Sequence, residues 1–331
     1  MCTAMQLIRQ EDRAGRYHLI YSAPAAGIAA SAAHRFEIEP ALTGAEYVDW
    51  CVAFCARHDV GIFVPGWEAS RISAAAERFA AVGTRVMAVG SSDVLNLLRN
   101  KAAFYATVDL PLAAPPETIP FTTLTQFDAA HTVLRAKHPR LCVKPSKSVY
   151  GLGFAVLDEA RSCAQILLAG DQYQMGLADF RAGLAGLDEF RTMLLMEYLD
   201  GTEYSVDCVG DDGRLVCAVP RRKSEKPGAG QVIDPQPVIL AAVAKLTADY
   251  RLNGMFNVQF REQGGALRLL EINPRMSGGI GMACMAGPVL PHIALAGFDR
   301  GFDKVEVPPL RAGIRVAEWS QPVQLPMLEQ P

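Results

Sequence analysis

The sequence predicts a mixed α/β and α+β protein, with a parallel α/β lobe at the start followed by two α+β stretches. Three observations carry that prediction. Apolar strand-like runs alternate with helix-spaced apolar residues over the first ninety or so positions. Three prolines, Pro111, Pro115 and Pro116, then interrupt the chain. From Leu194 onward, short apolar runs recur between turn residues with one helix among them. With 331 residues the chain is long enough for two or three lobes.

Each element follows from its local pattern. Tyr17 to Ser22 reads as a short strand, and Tyr47 to His58 carries apolar residues at helical spacing. Val60 to Val64 is a continuous apolar run closed by Pro65-Gly66, which predicts a buried strand. An alanine-rich helix over 70–81 and a second buried strand over 85–89 follow. Strand, helix, strand at this rhythm predicts a parallel sheet with crossover helices. The small-residue run 23–33 has no GxGxxG pattern, so a dinucleotide fingerprint has no support.

A helix is expected over 94–107, strands over 141–144 and 153–157, and mostly helix over 158–192. Strands follow at 194–198, 204–209, 215–220, 255–261 and 267–272, with a helix over 238–250. Asp211-Asp212-Gly213 and Gln263-Gly264-Gly265 are hairpin turns by composition.

Composition excludes several classes. A formal net charge of −3 gives no overall basic field for nucleic acid or an anionic membrane. The eight cysteines are scattered without a CxxC pair or zinc spacing, as expected of buried, reduced thiols. Residues 1–20 contain no continuous apolar h-region, so no signal peptide is expected. No apolar run reaches the length of about 18 residues that a membrane span needs, and a cytoplasmic location is expected.

Four constellations carry chemistry. In the first, Glu271 and Asn273 lie two apart on a strand and share a face, and Gln259 can lie opposite them on the partner strand. Three oxygen ligands on rigid strands suit Mg²⁺, although a surface carboxylate and a turn Asn would look the same. In the second, a strand delivers Lys144, and Ser146, Ser148, Gly151 and Gly153 follow in a loop able to fold over phosphates; a plain hairpin is the alternative. No GKS or GKT follows, so it is not a P-loop. In the third, Glu197-Tyr198-Leu199 ends a strand and Glu203 begins another across Gly201, a hinge whose backbone could meet an adenine edge, or simply two solvated acids on a turn. In the fourth, Arg221, Arg222 and Lys223 end a strand before a Gly/Pro loop, where they neutralise phosphate or carboxylate oxygens or form a solvated basic turn.

Taken in order, Lys101, Lys144 with its glycine loop, Glu197 to Glu203, the Arg221 cluster, Gln259 and Leu270-Glu271-Ile272-Asn273-Pro274-Arg275 resemble the ATP-grasp superfamily. The branch resembled is that of carbamoyl phosphate synthetase and the carboxylate–amine ligases, over residues 94 to 295. The start of the chain lacks the Gly-rich first loop usual there. The resemblance implies a pre-ATP-grasp parallel α/β domain over 1–96. An ATP-grasp fold of two α+β subdomains clamping ATP follows: a lid subdomain with its linking helix over 97–193, and a C-terminal subdomain with the metal site over 194–331.

The resemblance also implies roles. Lys101 approaches the phosphates, Lys144 serves the α-phosphate and adenine side, and 146–153 is the lid. Glu197, Tyr198 and Leu199 form the adenine hinge, and Glu203 meets the ribose. Glu271 and Asn273 hold magnesium with Gln259 at a third position, and Mn²⁺ could substitute. Arg275 steadies the transferring phosphoryl group and the acyl phosphate; Arg221 or Lys223 does similar work or binds the substrate carboxylate. Ser277-Gly278-Gly279-Ile280-Gly281 matches a loop near the acceptor, or is a packing turn. The implied activity is an ATP-dependent, ADP-forming carboxylate–amine or carboxylate–thiol ligase of small molecules, expected as a homodimer. A non-catalytic ATP-binding regulatory module and a bicarbonate-using carboxylase or carbamoyl component are the alternatives. No MKM biotin-attachment sequence and no glutamine amidotransferase part occurs, so a carboxylase or carbamoyl component would take these from partners.

Overall fold

The structure is a computed structural model that describes residues 1–148, 151–224, 226 and 228–323. The chain divides into two compact units, one of residues 1–95, 202–259 and 272–331, the other of 96–201 and 260–271.

The first unit begins with a helix not foreseen from the sequence, α1 (Cys2–Glu11), which buries Ala4, Met5 and Ile8 on one face. Strand β1 (Ile20–Ala23) pairs in parallel with β2 (Arg35–Ile38). Helix α2 (Gly44–Arg57) forms where the periodicity predicted it, burying Tyr47, Val48, Cys51, Phe54 and Cys55. Strand β3 (Ile62–Phe63) pairs in parallel with β4 (Arg85–Val86) across α3 (Ala69–Ala74) and α4 (Ala76–Ala80). Parallel pairing thus appears as two separate two-stranded sheets, not the single sheet expected. The run 60–64 is correspondingly shorter and less buried than predicted, because each strand of a two-stranded sheet has only one neighbour; Val64 is exposed. The expected 70–81 helix breaks at Ala75.

The expected helix over 94–107 is also two: α5 (Ser92–Arg99) and α6 (Lys101–Thr107). Asn100 leaves helical geometry and caps α6, its side-chain oxygen accepting from the Ala103 N–H. Beyond it lie β5 (Thr118–Phe121), α7 (Leu124–Arg135), β6 (Leu141–Pro145), β7 (Ala155–Asp158), α8 (Cys163–Ala169), β8 (Gln174–Gly176), α9 (Leu177–Ala185) and β9 (Met193–Glu197). These five strands form one sheet, ordered β5-β9-β6-β7-β8. The two that the pattern missed are its edges. Strand β5 contains Pro120, which an edge tolerates and a central strand does not; β8 is only three residues long. Phe121, Phe127, Leu134, Val143 and Leu195 form the core of this unit.

Four of the remaining strands are longer. β10 (Glu203–Asp211) and β11 (Arg214–Lys223) form an antiparallel hairpin across Asp212-Gly213, as the turn residues predict. Then come β12 (Gln231–Ile233), α10 (Pro237–Asp249), β13 (Gly254–Gln263), β14 (Ala266–Asn273), α11 (Ile280–Cys284), α12 (Leu290–Arg300) and β15 (Arg315–Val316). The sheet runs β14-β13-β10-β11-β12-β15. Helix α12, lined by Ile293, Ala294 and Leu295, packs with α1 and β10 over the core of the first unit. Among the described residues, no helix is long and apolar enough to cross a membrane.

Candidate active site

In the second unit, α6 and β6 bring both expected lysines into one cluster. The Lys101 N–H donates to the Ser146 carbonyl at 3.0 Å. The Ala102 N–H donates to Ser146 Oγ at 3.2 Å, and that hydroxyl donates to Asn100 Oδ1 at 2.6 Å. The start of α6 is therefore stapled to the end of β6. Lys101 Nζ, almost wholly buried, lies 3.2 Å from Glu271 Oε2 and donates to the Ser148 carbonyl at 3.2 Å. Lys144 Nζ donates to the Tyr105 hydroxyl at 3.2 Å, which donates to the Leu270 carbonyl. Burial pushes the Lys144 ammonium below the usual lysine value, and the Glu271 carboxylate opposes that shift. Burial raises the Tyr105 phenol well above its ordinary value, so the hydroxyl stays a donor at neutral pH.

The expected lid begins at Ser146. Val149 and Tyr150 lie outside the described residues. Gly153 sits at φ +80°, and a Cβ there would fall 2.9 Å from the Pro145 ring, so no other residue fits without movement. Gly151 and Gly153 are both exposed.

At the end of β9, Glu197 is buried. Its Oε1 accepts from the Glu117 N–H at 3.0 Å, and its own N–H donates to the Glu117 carbonyl. His138 Nδ1 stands 3.4 Å from Oε2 and Arg268 Nε 3.6 Å from Oε1. The solvated-acid alternative therefore fails for Glu197. Tyr198 is half-buried with the Arg140 guanidinium 4.4 Å from its ring centroid and Arg261 5.8 Å from it; Leu199 is buried.

In the first unit, Arg221 is buried, so it is no solvated basic turn. It forms an ion pair with Asp207 (Nη2 to Oδ2, 2.8 Å), donates to Ser205 Oγ at 3.2 Å and Ser277 Oγ at 2.8 Å, and reaches Gln231 Oε1. Asp207 also accepts from the Ser277 N–H and hydroxyl and from Asn257 Nδ2. This network anchors the 277–281 loop. Gly279 lies against the guanidinium, where a Cβ would sit 2.5 Å from Arg221 Nη1. Lys223 pairs with Glu203, and Arg222 with Asp234 at 3.0 Å. In the Gly/Pro loop after Lys223, Glu225 and Pro227 lie outside the described residues.

Gln259, Asn273 and Arg275 belong to the first unit and Glu271 to the second. Gln259 and Asn273 are half-buried; Arg275 is exposed, with Nη1 donating to the Met276 carbonyl. A cavity of about 450 Å³ in the first unit, lined by Ser73, Gly90, Asp212, Asp249, Arg251 and others, contains none of the expected residues. The cysteines are free, and burial pushes Cys51, Cys142, Cys217 and Cys284 up to about 12, which disfavours thiolate chemistry at neutral pH.

Sequence reasoning missed Tyr105, Asn100 and Asp207. Asp207 did leave a signal: a lone acid inside the apolar run Tyr204 to Val209 needs a buried cation nearby.

Comparison with known proteins completes the picture. Residues 189–322 match the family described as ATP-grasp in the biosynthetic pathway with Ter operon. Human carnosine synthase 1 is 33% identical over 139 residues, 38% of this chain and only 17% of that protein. The biotin carboxylase domain of Hydrogenobacter thermophilus 2-oxoglutarate carboxylase, solved with MgADP and bicarbonate, superposes with a TM-score of 0.62 at 14% identity, covering 95% of this chain and 70% of that one. The L-amino acid ligase from Bacillus licheniformis gives 0.60 at 12% identity, covering 90% and 72%. Likeness at that identity concerns the fold alone, and the family match covers residues 189–322, the stretch that contains Gln259, Glu271 and Asn273.

Proposed function

We propose that this chain is an ATP-dependent, ADP-forming ligase that joins a small carboxylate to an amine through an acyl phosphate, with Mg²⁺. The observation that carries the reading is the cluster of Lys101, Lys144 and Glu271 inside one unit of an ATP-grasp fold. Two ammonium groups beside a carboxylate suit a magnesium-bound polyphosphate better than a neutral ligand. Glu271, Asn273 and Gln259 would hold the metal, an all-oxygen set of the kind Mg²⁺ takes. Bound there, Mg²⁺ would neutralise charge on the phosphate oxygens.

The protein's own groups do the rest. Lys101 and Lys144 bind phosphate oxygens and hold the γ-phosphoryl group for attack. A carboxylate oxygen of the substrate attacks the γ-phosphorus of ATP, the bond to the β-phosphate oxygen breaks, and ADP leaves as the acyl phosphate forms. Amine attack on the acyl carbon then expels phosphate and forms the amide. Positioning and charge neutralisation supply most of the acceleration, with Arg275 and Lys223 proposed on the anionic oxygens and Arg221, paired with Asp207, holding the 277–281 loop in place. The glycine-bearing 146–153 loop is proposed to exclude water from the acyl phosphate. Glu197, Tyr198, Leu199 and Glu203 are proposed for the adenosine. The likeness to a carnosine synthase and an L-amino acid ligase directs the substrate search to amino acids.

The test is ADP and phosphate release across pairs of amino acids and small carboxylates, with Glu271→Ala and Lys144→Ala as controls. Release that needs both substrates and is lost in both variants supports the ligase. ATP–Mg²⁺ binding without turnover on any mixture would favour the regulatory module. A second reading rests on the likeness to a bicarbonate-bound carboxylase domain: ADP release that bicarbonate alone stimulates would move the reaction to that class. A homodimer is proposed as the working assembly, to be checked by sedimentation.

A further inference from the structure

Helix α6 presents two residues four positions apart, hence on one face: Lys101 and Tyr105. Lys101 reaches the Glu271 carboxylate. Tyr105 reaches the neighbouring residue on β14, donating its hydroxyl proton to the Leu270 carbonyl at 2.5 Å. With that proton committed, the oxygen's lone pairs face Lys144, whose ammonium donates to them at 3.2 Å and lies 5.4 Å from the ring centroid. The base of α6 is locked to β6 by the Asn100–Ser146 hydrogen bond. The hydroxyl is therefore held from both sides.

We propose that Tyr105 is a positioning residue of the nucleotide site, whose hydroxyl aims the Lys144 ammonium at the phosphates through its bond to the Leu270 carbonyl. The chemistry of the acceptor matters. A carboxylate partner would cancel the charge of the lysine, whereas a neutral phenol fixes its direction and leaves its full charge for an anion. Among the described residues the Lys144 ammonium makes this one hydrogen bond, and of its three donors two remain for phosphate oxygens. The inference rests on the ATP-grasp reading, which fixes phosphate as the anion.

The experiment uses the full chain with ADP and MgCl₂ as probes, followed by calorimetry and, for weak binding, NMR titration to millimolar ADP. Tyr105→Phe keeps the ring and removes the hydroxyl, and its melting temperature is measured alongside. The expected result is about tenfold weaker ADP binding, the scale of one hydrogen bond to a charged group. The loss should disappear in a Lys144→Met background, where Tyr105→Phe weakens ADP no further. Unchanged ADP affinity in Tyr105→Phe, alongside a loss in Lys144→Met, would overturn the proposal and leave the nucleotide site standing. So would an equal loss in both backgrounds, since Tyr105 would then act independently of Lys144. Wild-type protein that binds no MgADP, or is indifferent to Lys144→Met, would overturn the ATP-grasp site itself before any Tyr105 variant is made.

Discussion

Replacing Asp207 by Asn tests the buried network of the first unit most directly. The two side chains of the Asp207–Arg221 pair are 1% and 2% exposed. Oδ2 accepts from Arg221 and the Ser277 hydroxyl, and Oδ1 from the Ser277 N–H and Asn257. An amide nitrogen in either place faces donors, and the Arg221 charge is left buried and uncompensated. Removing one partner of such a pair costs about 3–5 kcal/mol. The assay is equilibrium unfolding in urea followed by tryptophan fluorescence, since Trp50, Trp67 and Trp319 all belong to the first unit. The fluorescence midpoint should fall accordingly. Replacing the pair together, Asp207→Leu with Arg221→Met, should recover the part of the loss that the uncompensated Arg221 charge causes, but not the part from the Ser277 and Asn257 donors that lose their acceptor. A loss below about 1 kcal/mol, the size of an ordinary substitution, would refute the reasoning.

The loop that this pair anchors should be equally sensitive at one position and tolerant at the next. Gly279→Ala should cost about 1–3 kcal/mol by overpacking against the guanidinium, while Gly278→Ala, with open space around it, should change the same midpoint by less than about 0.5 kcal/mol. Phe127→Ala, fully buried in the core of the second unit, should cost about 3–5 kcal/mol; hydrogen exchange of β6 and β9 amides would report it. The hydrogen bond from Lys137 to Glu117, with His138 adding to it, holds the Glu117 carboxyl below its usual value. A depressed folded pKa means stabilisation present above the unfolded value of 4.5 and lost as pH falls through the folded one. Glu117→Gln should therefore be less stable than wild type at pH 7, and the two urea midpoints should converge below about pH 4.5; a gap that persists at pH 3 would assign the effect to something other than the carboxylate.

Much of the fold was legible because local periodicity and turn chemistry act over a few residues. Helix α2, the β10–β11 hairpin with its Asp-Gly turn, α10 and the β13–β14 pair all sit where their patterns put them. The failures are equally physical. The helix over 94–107 has no proline or glycine to break it, and its interruption at Asn100 follows from a bond to Ser146 forty-six positions away. Edge strands β5 and β8 left little signal because an edge tolerates proline and needs no long apolar run.

The same division runs through the site. Sequence alone picked out residues proposed for phosphate and metal chemistry, because a lysine before a glycine loop and alternating oxygen ligands on a strand are local patterns: Lys144, Glu271 and Asn273. Only tertiary structure decided how their charges are used. Arg221 read as a cation for an anionic ligand, yet folding places Asp207 against it and turns it into the anchor of the 277–281 loop. Lys144 gained a neutral partner, Tyr105, from a different element. An ion's partner depends on which strands and helices are brought together, and no short stretch of sequence contains that information.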